Sequence, residues 1–315
     1  MAGPKWGESF LKSGLPLEHL THVTFHSLQW HSYPRCEFLR RNKENEESWF
    51  ELDLMTTCPL GNGDTELSFL VECKYHDLSR YWFFLPYEPT GRWCFDDRVF
   101  NCGPYCTLRK PRADTVLPMA PLSTGGIVVS KDGQKQDNAV HTAIEQLAGG
   151  FAPVSLRRMF GYNIDFRNVD SPEAEIHYIP NVTALVPMIV TNAALYRLKP
   201  EITDLDTIRQ ASAPEEIADE LQWTWHYYDV SRRLLRQNLK MIEEHIDEES
   251  DLVHRYPNIT ELAESFAERP NWIAVVNIKS LPNVIELLTK HFLSLETVKV
   301  EKLVRPRRRR RVAAL

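Results

Sequence analysis

Two short triplets carry charged residues two positions apart: Glu51-Leu52-Asp53 and Glu72-Cys73-Lys74. In an extended strand such residues project to one face, so Glu51 would side with Asp53 and Glu72 with Lys74. A single turn, CPLGNGD, joins the two segments; its Pro59, Gly61, Asn62 and Gly63 are turn formers, and the resulting hairpin would set Asp53 beside Glu72. Apolar neighbours flank both carboxylates: Phe50, Leu52 and Leu54 around the first, Phe69, Leu70 and Val71 before the second. Two carboxylates converging at the border of a core repel each other and are costly to bury unless a cation is bound. A hard divalent ion with oxygen ligands, magnesium or in its place manganese, meets that requirement, with Asp53 and Glu72 as metal ligands. Lys74 adds a positive charge on the same face, able to orient or deprotonate a water or to stabilise transition-state charge. This set suits hydrolysis of a phosphodiester. Glu51 reads equally well as a second-metal ligand or as a solvent-facing neighbour of Asp53.

The elements that would position these groups are legible nearby. Ser13 to about Leu28 has helical periodicity in Leu17, Leu20, Thr24 and Leu28, with Ser13 expected as cap and Pro16 in the first turn. Glu18 falls in that first turn, where a carboxylate also suits the positive end of the helix dipole. Three strands follow: Trp30 to Leu39, Trp49 to Thr56 after a charged hairpin turn at Arg40 to Glu47, and Leu67 to Lys74. Residues 81–130 hold many Pro and Gly with little periodicity and read as an irregular insertion packed beside the sheet. A helix is expected at about Gln136 to Leu147, with Ala139, Ala143, Ile144 and Leu147 on one side. A buried strand opens Ala184 to Leu198. Long helical patterns run from Glu215 to about Glu244 and from Ile259 to Glu268, a last apolar strand covers Trp272 to Ile278, and a helix spans Pro282 to Leu293. Strands alternating with helices imply a mixed sheet covered by helices.

With its order of a helix bearing Glu18, a strand, a strand with E-x-D and a strand ending V-E-C-K, the chain resembles the PD-(D/E)XK nuclease superfamily, in particular its restriction-endonuclease-like, Mrr-type branch. The resemblance covers residues 8 to 76 well and 136 to 195 loosely. It implies an α/β (α+β) fold: a restriction-endonuclease-like core in which helices flank a mixed central sheet, with an irregular insertion and a C-terminal helical elaboration. On this reading residues 1–200 form the core with the insertion at about 81–130, residues 201–303 form the elaboration with a late strand packed on the core, and 304–315 form a basic tail. Glu72 becomes a metal-binding residue and Lys74 the catalytic lysine, Asp53 the preceding metal-binding carboxylate, and Glu18 a holder of water. The implied activity is that of a magnesium-dependent endonuclease acting on nucleic acid, with DNA the first expectation and RNA left open, in a prokaryotic defence or restriction system. The alternative is a non-cleaving nucleic-acid-binding or assembly protein with a nuclease-like fold.

Composition narrows the partners. The chain has 315 residues, 43% hydrophobic and 25% charged, with a formal net charge of −6. Bulk charge therefore does not drive it onto nucleic acid, and any binding must come from local basic groups. Candidates are Arg157 and Arg158 in GGFAPVSLRRM, and the arginines of RPRRRRR at 305–311, among them Arg307, Arg308 and Arg309. In QWTWHYYDVSRRLLRQN, read as helical, Trp223, Trp225, Tyr227 and Tyr228 with Arg232, Arg233 and Arg236 could stack bases and grip phosphates, although core packing with a solvated basic face is the simpler role. His19, His22, His26 and His31 read as surface or packed residues. STGG at Ser123 is not a phosphate loop, because no G-K-[ST] follows. Cys94, Cys102 and Cys106 cluster without C-x-x-C spacing or an obvious fourth zinc ligand. No apolar run reaches the roughly 20 residues of a membrane span, and the first residues lack a secretory pattern. A cytoplasmic protein is expected, with a partner protein or a second copy of the chain as further candidate partners.

Overall fold

The computed structural model describes residues 5–41, 47–60, 65–76, 79–87, 106–109, 120–131, 135–136, 138–164, 182–248, 264, 266–294 and 296–299. Helices α1 (Lys5–Lys12) and α2 (Leu15–Ser27) lead into strands β1 (His31–Arg41), β2 (Glu47–Leu60) and β3 (Thr65–Lys74). Strands β4 (Arg80–Pro86), β5 (Cys106–Arg109), β6 (Leu122–Ser130) and β7 (Lys135–Gln136) precede helix α3 (Ala139–Ile164) and strands β8 (Val182–Thr191) and β9 (Ala194–Leu198). Short helices α4 (Leu205–Gln210) and α5 (Pro214–Ile217) precede β10 (Ala218–Leu221) and β11 (Trp223–Tyr227). Helix α6 (Arg232–Glu248), strand β12 (Trp272–Asn277), helix α7 (Leu281–Leu293) and strand β13 (Glu296–Lys299) complete the described elements.

The result is a mixed sheet in the order β1-β2-β3-β8-β12-β11-β6-β4-β9-β10, with β7 on β6 and a separate β5–β13 pair. Strands β1, β2 and β3 form an antiparallel meander, and β8 joins β3 in parallel from Thr65↔Val182 to Lys74↔Thr191. Only Asn192 and Ala193 separate β8 from β9, yet four strands lie between them in the sheet. Five inter-strand steps of about 4.8 Å would span about 24 Å if the sheet were flat, whereas Thr191 and Ala194 are at most about 11 Å apart along the chain. The sheet must therefore roll back on itself so that β9 continues β8. Strand β4 follows β3 in the same way and stays parallel to β9.

Helices cover both faces of the sheet. On one, α3 and α6 pack Ala143, Leu147, Phe151 and Ile242 against Leu52, Leu70, Trp82, Ile189 and Ile273. On the other, α2 and α7 pack Leu17, Phe25, Ile285 and Leu288 against Leu54, Phe69, Val71, Met188 and Ala274. The mixed α/β class with helices flanking the sheet is thus as expected.

Several local expectations are corrected. The helix cap before α2 is Gly14, at φ 85, and not Ser13, whose hydroxyl donates to the Phe10 carbonyl instead. The turn expected at Arg40 to Glu47 is shorter, since both ends of that range continue the β1/β2 ladder to Arg41↔Glu47. Helix α3 begins close to the expected residue but continues to Ile164. The stretch 81–130 is no appendage beside the sheet, because β4 and β6 are strands within it. The largest departure is Glu215 to Glu244, where only Pro214–Ile217 and the segment from Arg232 are helical. Strand β11 is buried on both faces over residues 223–226, where consecutive aromatic and β-branched side chains fit better than on a helix with one wet side. Trp223 and Trp225 are core residues there, while Arg232, Arg233 and Arg236 are exposed on α6. Strand β12 and helix α7 lie where they were expected. The helix expected at Ile259 to Glu268 lies largely outside the described residues, as do Cys94 and Cys102.

Candidate active site

The β2–β3 ladder ends at Leu54↔Val71, before either triplet is reached. Beyond it the two strands part, and the Asp53 carboxylate takes over from the missing backbone partner: Cys73 N–H donates to Asp53 Oδ2 at 2.6 Å. On the other side, the β1–β2 ladder keeps one register from Pro34↔Leu54 to Cys36↔Leu52 but skips the pair between them, and Arg35, opposite Asp53, has φ 60. This irregularity swaps the faces of β2. Leu52 belongs to the cluster under α3 and Leu54 to the cluster under α2, although regular alternation would place them together. Asp53 is left at the changeover, aimed along the sheet toward β3. The expected pairing of Asp53 with Glu51 on one regular face is therefore incorrect. Glu51 is about half exposed and ion-pairs with Arg35 at 3.6 Å.

Strand β3 remains regular because β8 holds it along its whole length. Glu72 and Lys74 share its α3-facing side. Lys74 Nζ donates to Glu72 Oε1 at 2.5 Å and to Gln146 Oε1 of α3 at 2.9 Å. The Lys74 carbonyl accepts from the Thr191 hydroxyl at 2.7 Å, which fixes the strand end. Glu72 is 1% exposed, and its Oε2 is buried without a hydrogen-bond partner. Such an orphaned acceptor is expensive, and more so if charged. Burial, then the neighbouring Asp53, push the Glu72 carboxyl up from 4.5 to about 7, against the lowering effect of Lys74. Burial also raises Asp53, opposed by the Cys73 N–H and by Lys74. Glu18, from the first turn of α2, is raised by burial and by the charges of Asp53 and Glu51. Mutual electrostatic influence thus places Asp53, Glu72, Lys74 and Glu18 in one neighbourhood, as their types and order in the sequence had implied.

Gln146 was not among the expected site residues. Its signal was available: it is a polar interruption of the apolar stripe of Ala139, Ala143 and Leu147 on α3. The Cys73 sulfur contacts the Thr21 hydroxyl at 3.6 Å beneath the site, and burial pushes this thiol well above its ordinary range. Among the described residues, Cys36, Cys58 and Cys73 form no disulfide, and no group of three or more His, Cys, Asp or Glu side chains is arranged to hold a metal ion. Magnesium does not require such a group. It is commonly held by one or two carboxylates, with water and substrate phosphate completing the shell. The orphaned Glu72 Oε2 and the fixed Asp53 carboxylate fit that donor set.

Of the expected nucleic-acid-binding residues, Arg157 is exposed and donates to the Glu37 carbonyl at 3.0 Å, so it braces β1 against α3. The Arg158 side chain and Arg307, Arg308 and Arg309 lie outside the described residues. No helix among the described residues is long and apolar enough to cross a membrane. No protein-family model, curated protein or solved structure matches the chain.

Proposed function

We propose that this chain is a metal-dependent nuclease of the PD-(D/E)XK kind, hydrolysing phosphodiester bonds, in DNA by preference, as part of a prokaryotic defence or restriction system. The observation that carries the proposal is the buried, half-orphaned Glu72 carboxylate next to Lys74, with Asp53 bound to the intervening Cys73 N–H where β2 and β3 part. A purely structural ion pair would not leave a buried carboxylate oxygen unsatisfied beside a second carboxylate. The succession α2, β1, β2, β3 and, after the intervening strands β4 to β7, α3 and a β8 parallel to β3 supports a restriction-endonuclease-like core.

Asp53 and Glu72 would hold magnesium or manganese, which when bound supplies Lewis acidity at the phosphoryl group and neutralises charge there. Lys74 presents its ammonium at the same edge, where it stabilises negative charge developing on phosphoryl oxygens and holds a proton at Nζ. Gln146 restrains the lysine from α3, which limits the conformations Nζ samples. Glu18 places a third carboxylate near the pair, suited to accept a hydrogen bond from water.

The full-length chain should cut plasmid, linear duplex, single-stranded DNA or RNA in magnesium or manganese and leave them intact in EDTA. Lys74→Ala and Asp53→Asn should each lower the rate by at least about 100-fold, the scale on which removal of one charge-stabilising group acts. Equal behaviour of wild type and both variants on every substrate sinks the nuclease reading. Specific binding without any metal-dependent cleavage would favour the non-cleaving alternative.

A further inference from the structure

A polar recess that does not include Asp53, Glu72 or Lys74 among its lining residues lies at the start of α3. It encloses about 260 Å³, and its walls include Thr124, Gly125, Gly126, His141, His226 and Asp229. Three features of it are independent of the proposed nuclease chemistry.

First, the N–H groups of residues 139–141 open α3, and the first intrahelical bond there is from Thr142 N–H to the Asn138 carbonyl at 2.7 Å. A helix of 26 residues concentrates partial positive charge at that end, and no acidic side chain stands in its first turn to compensate. Second, β6 comes unusually close to the helix. Its ladder with β4 is irregular between Phe84 and Leu85, Gly125 adopts φ 54, and a Cβ on Gly126 would lie 2.9 Å from Val140 Cγ1. Glycine is required for the strand to form this wall. Third, His226 lines the recess at only 3% exposure, and its Nδ1 is buried without a hydrogen-bond partner. Burial lowers its pKa to about 4, so the ring is neutral at pH 7 and one ring nitrogen carries a proton to donate.

The lining also carries one anion, Asp229. Asp229 is exposed, and its Oδ1 accepts from the Tyr227 hydroxyl at 2.7 Å, which leaves acceptor capacity on the carboxylate. A simple anion would gain at α3 but meet repulsion at Asp229. A ligand with an anionic head and hydroxyl donors satisfies both. We propose that this recess binds a small phosphate monoester of a sugar or nucleoside, with the phosphate at the start of α3 near His226 and hydroxyl groups toward Asp229. Its size admits a ligand no larger than about a mononucleotide, being at the small end of ligand pockets. The glycines serve close approach here, and the helix terminus, not a lysine-bearing loop, supplies the phosphate contacts.

Isothermal titration of the full-length chain in EDTA tests this with inorganic phosphate, ribose 5-phosphate, adenosine 5′-monophosphate and adenosine. The monoesters are expected to bind with dissociation constants below about 1 mM, and adenosine not to bind. His141→Glu places a carboxylate at the exposed first turn of α3, where the helix dipole offsets the lost pairing of His141 with Glu145 at 3.4 Å, and should weaken the monoesters at least tenfold without loss of folding. His226→Phe keeps a ring beside Phe84 and should do the same; circular dichroism verifies its fold. Asp229→Asn should reduce the preference for ribose 5-phosphate over inorganic phosphate. Lys74→Ala, at the other site, should leave the affinities unchanged. Monoesters that fail to bind at 10-fold above that concentration overturn the proposal. So does binding that is equal in wild type and His141→Glu, or lost in Lys74→Ala. Inorganic phosphate binding as tightly as the monoesters overturns the sugar-directed part.

Discussion

Replacing Glu72 by glutamine tests the electrostatics of the site without requiring a substrate. In the folded chain the Glu72 carboxyl titrates at about 7, and its ordinary value is 4.5. Below pH 4.5 it is protonated whether the chain is folded or unfolded, so burial costs nothing extra. Between 4.5 and about 7 the unfolded chain releases this proton and the folded chain keeps it, so stability falls as pH rises. Above about 7 the loss is complete and amounts to about 3 kcal/mol, at 1.36 kcal/mol for each pH unit between the two values. Glutamine preserves the volume and an acceptor for Lys74 but carries no charge. In EDTA, urea unfolding of wild type and Glu72→Gln should therefore show similar stabilities near pH 4.5, with the variant the more stable at pH 8, by up to about 3 kcal/mol. Ten millimolar magnesium at pH 8 should stabilise wild type and not the variant, because a ligand that binds only the native state stabilises it. A wild-type-to-variant difference that does not change with pH, or wild type the more stable at pH 8 in EDTA, would refute the account of Glu72 as a strained buried acid.

The Asp53 carboxylate does two jobs that substitution separates. Asp53→Asn keeps an acceptor for the Cys73 N–H and should unfold close to wild type while losing cleavage. Asp53→Ala also leaves that donor unpaired and should cost a further 1–3 kcal/mol or so in chemical denaturation. Gln146→Leu removes the restraint on Lys74 Nζ from α3. Its single-turnover rate should fall about 10- to 100-fold with little change in thermal stability, and an unchanged rate would remove Gln146 from the site. Gly150→Ala would place a Cβ 2.7 Å from Leu52 Cδ1 and 3.0 Å from the Phe38 ring. Overpacking of about 1–3 kcal/mol should outweigh the helix preference for alanine, so calorimetry should show a lower melting temperature.

The candidate site was legible because it is built locally. Glu72 and Lys74 share a face by the alternation of one strand, and Asp53 is delivered by the adjoining hairpin. What could not be read was how Asp53 arrives. The change of face at Asp53 depends on Arg35 in a left-handed conformation on the neighbouring strand, and arginine gives no warning of it. Gln146 reaches Lys74 across 72 positions of chain, a tertiary fact. The segment WTWHY reads as helical because apolar and aromatic runs lack a decisive period, and its burial on both faces comes with partners β6 and β12, far away in sequence. Strands β4 and β6 were missed for the reverse reason. The Pro- and Gly-rich character of 81–130 as a whole hid two short segments that acquire a role only when the sheet rolls around them.

The place of β12 in that rolled sheet bears on how the protein is made. Residues 272–277 insert between β8 and β11, and Asn277 Nδ2 also bonds the Ala193 carbonyl at the bend from β8 to β9. During synthesis, β8 and its apolar neighbours therefore wait with an open hydrogen-bonding edge until some 80 further residues have emerged. Such long-range closure is slow and exposes an edge that other chains can pair with. The same delay keeps β8, the strand that holds Glu72 and Lys74 in register, from being locked on its second edge until β12 is present. A chain ending before β12 would thus carry Asp53, Glu72 and Lys74 without the closed scaffold that aligns them, so their alignment waits on residues 272–277.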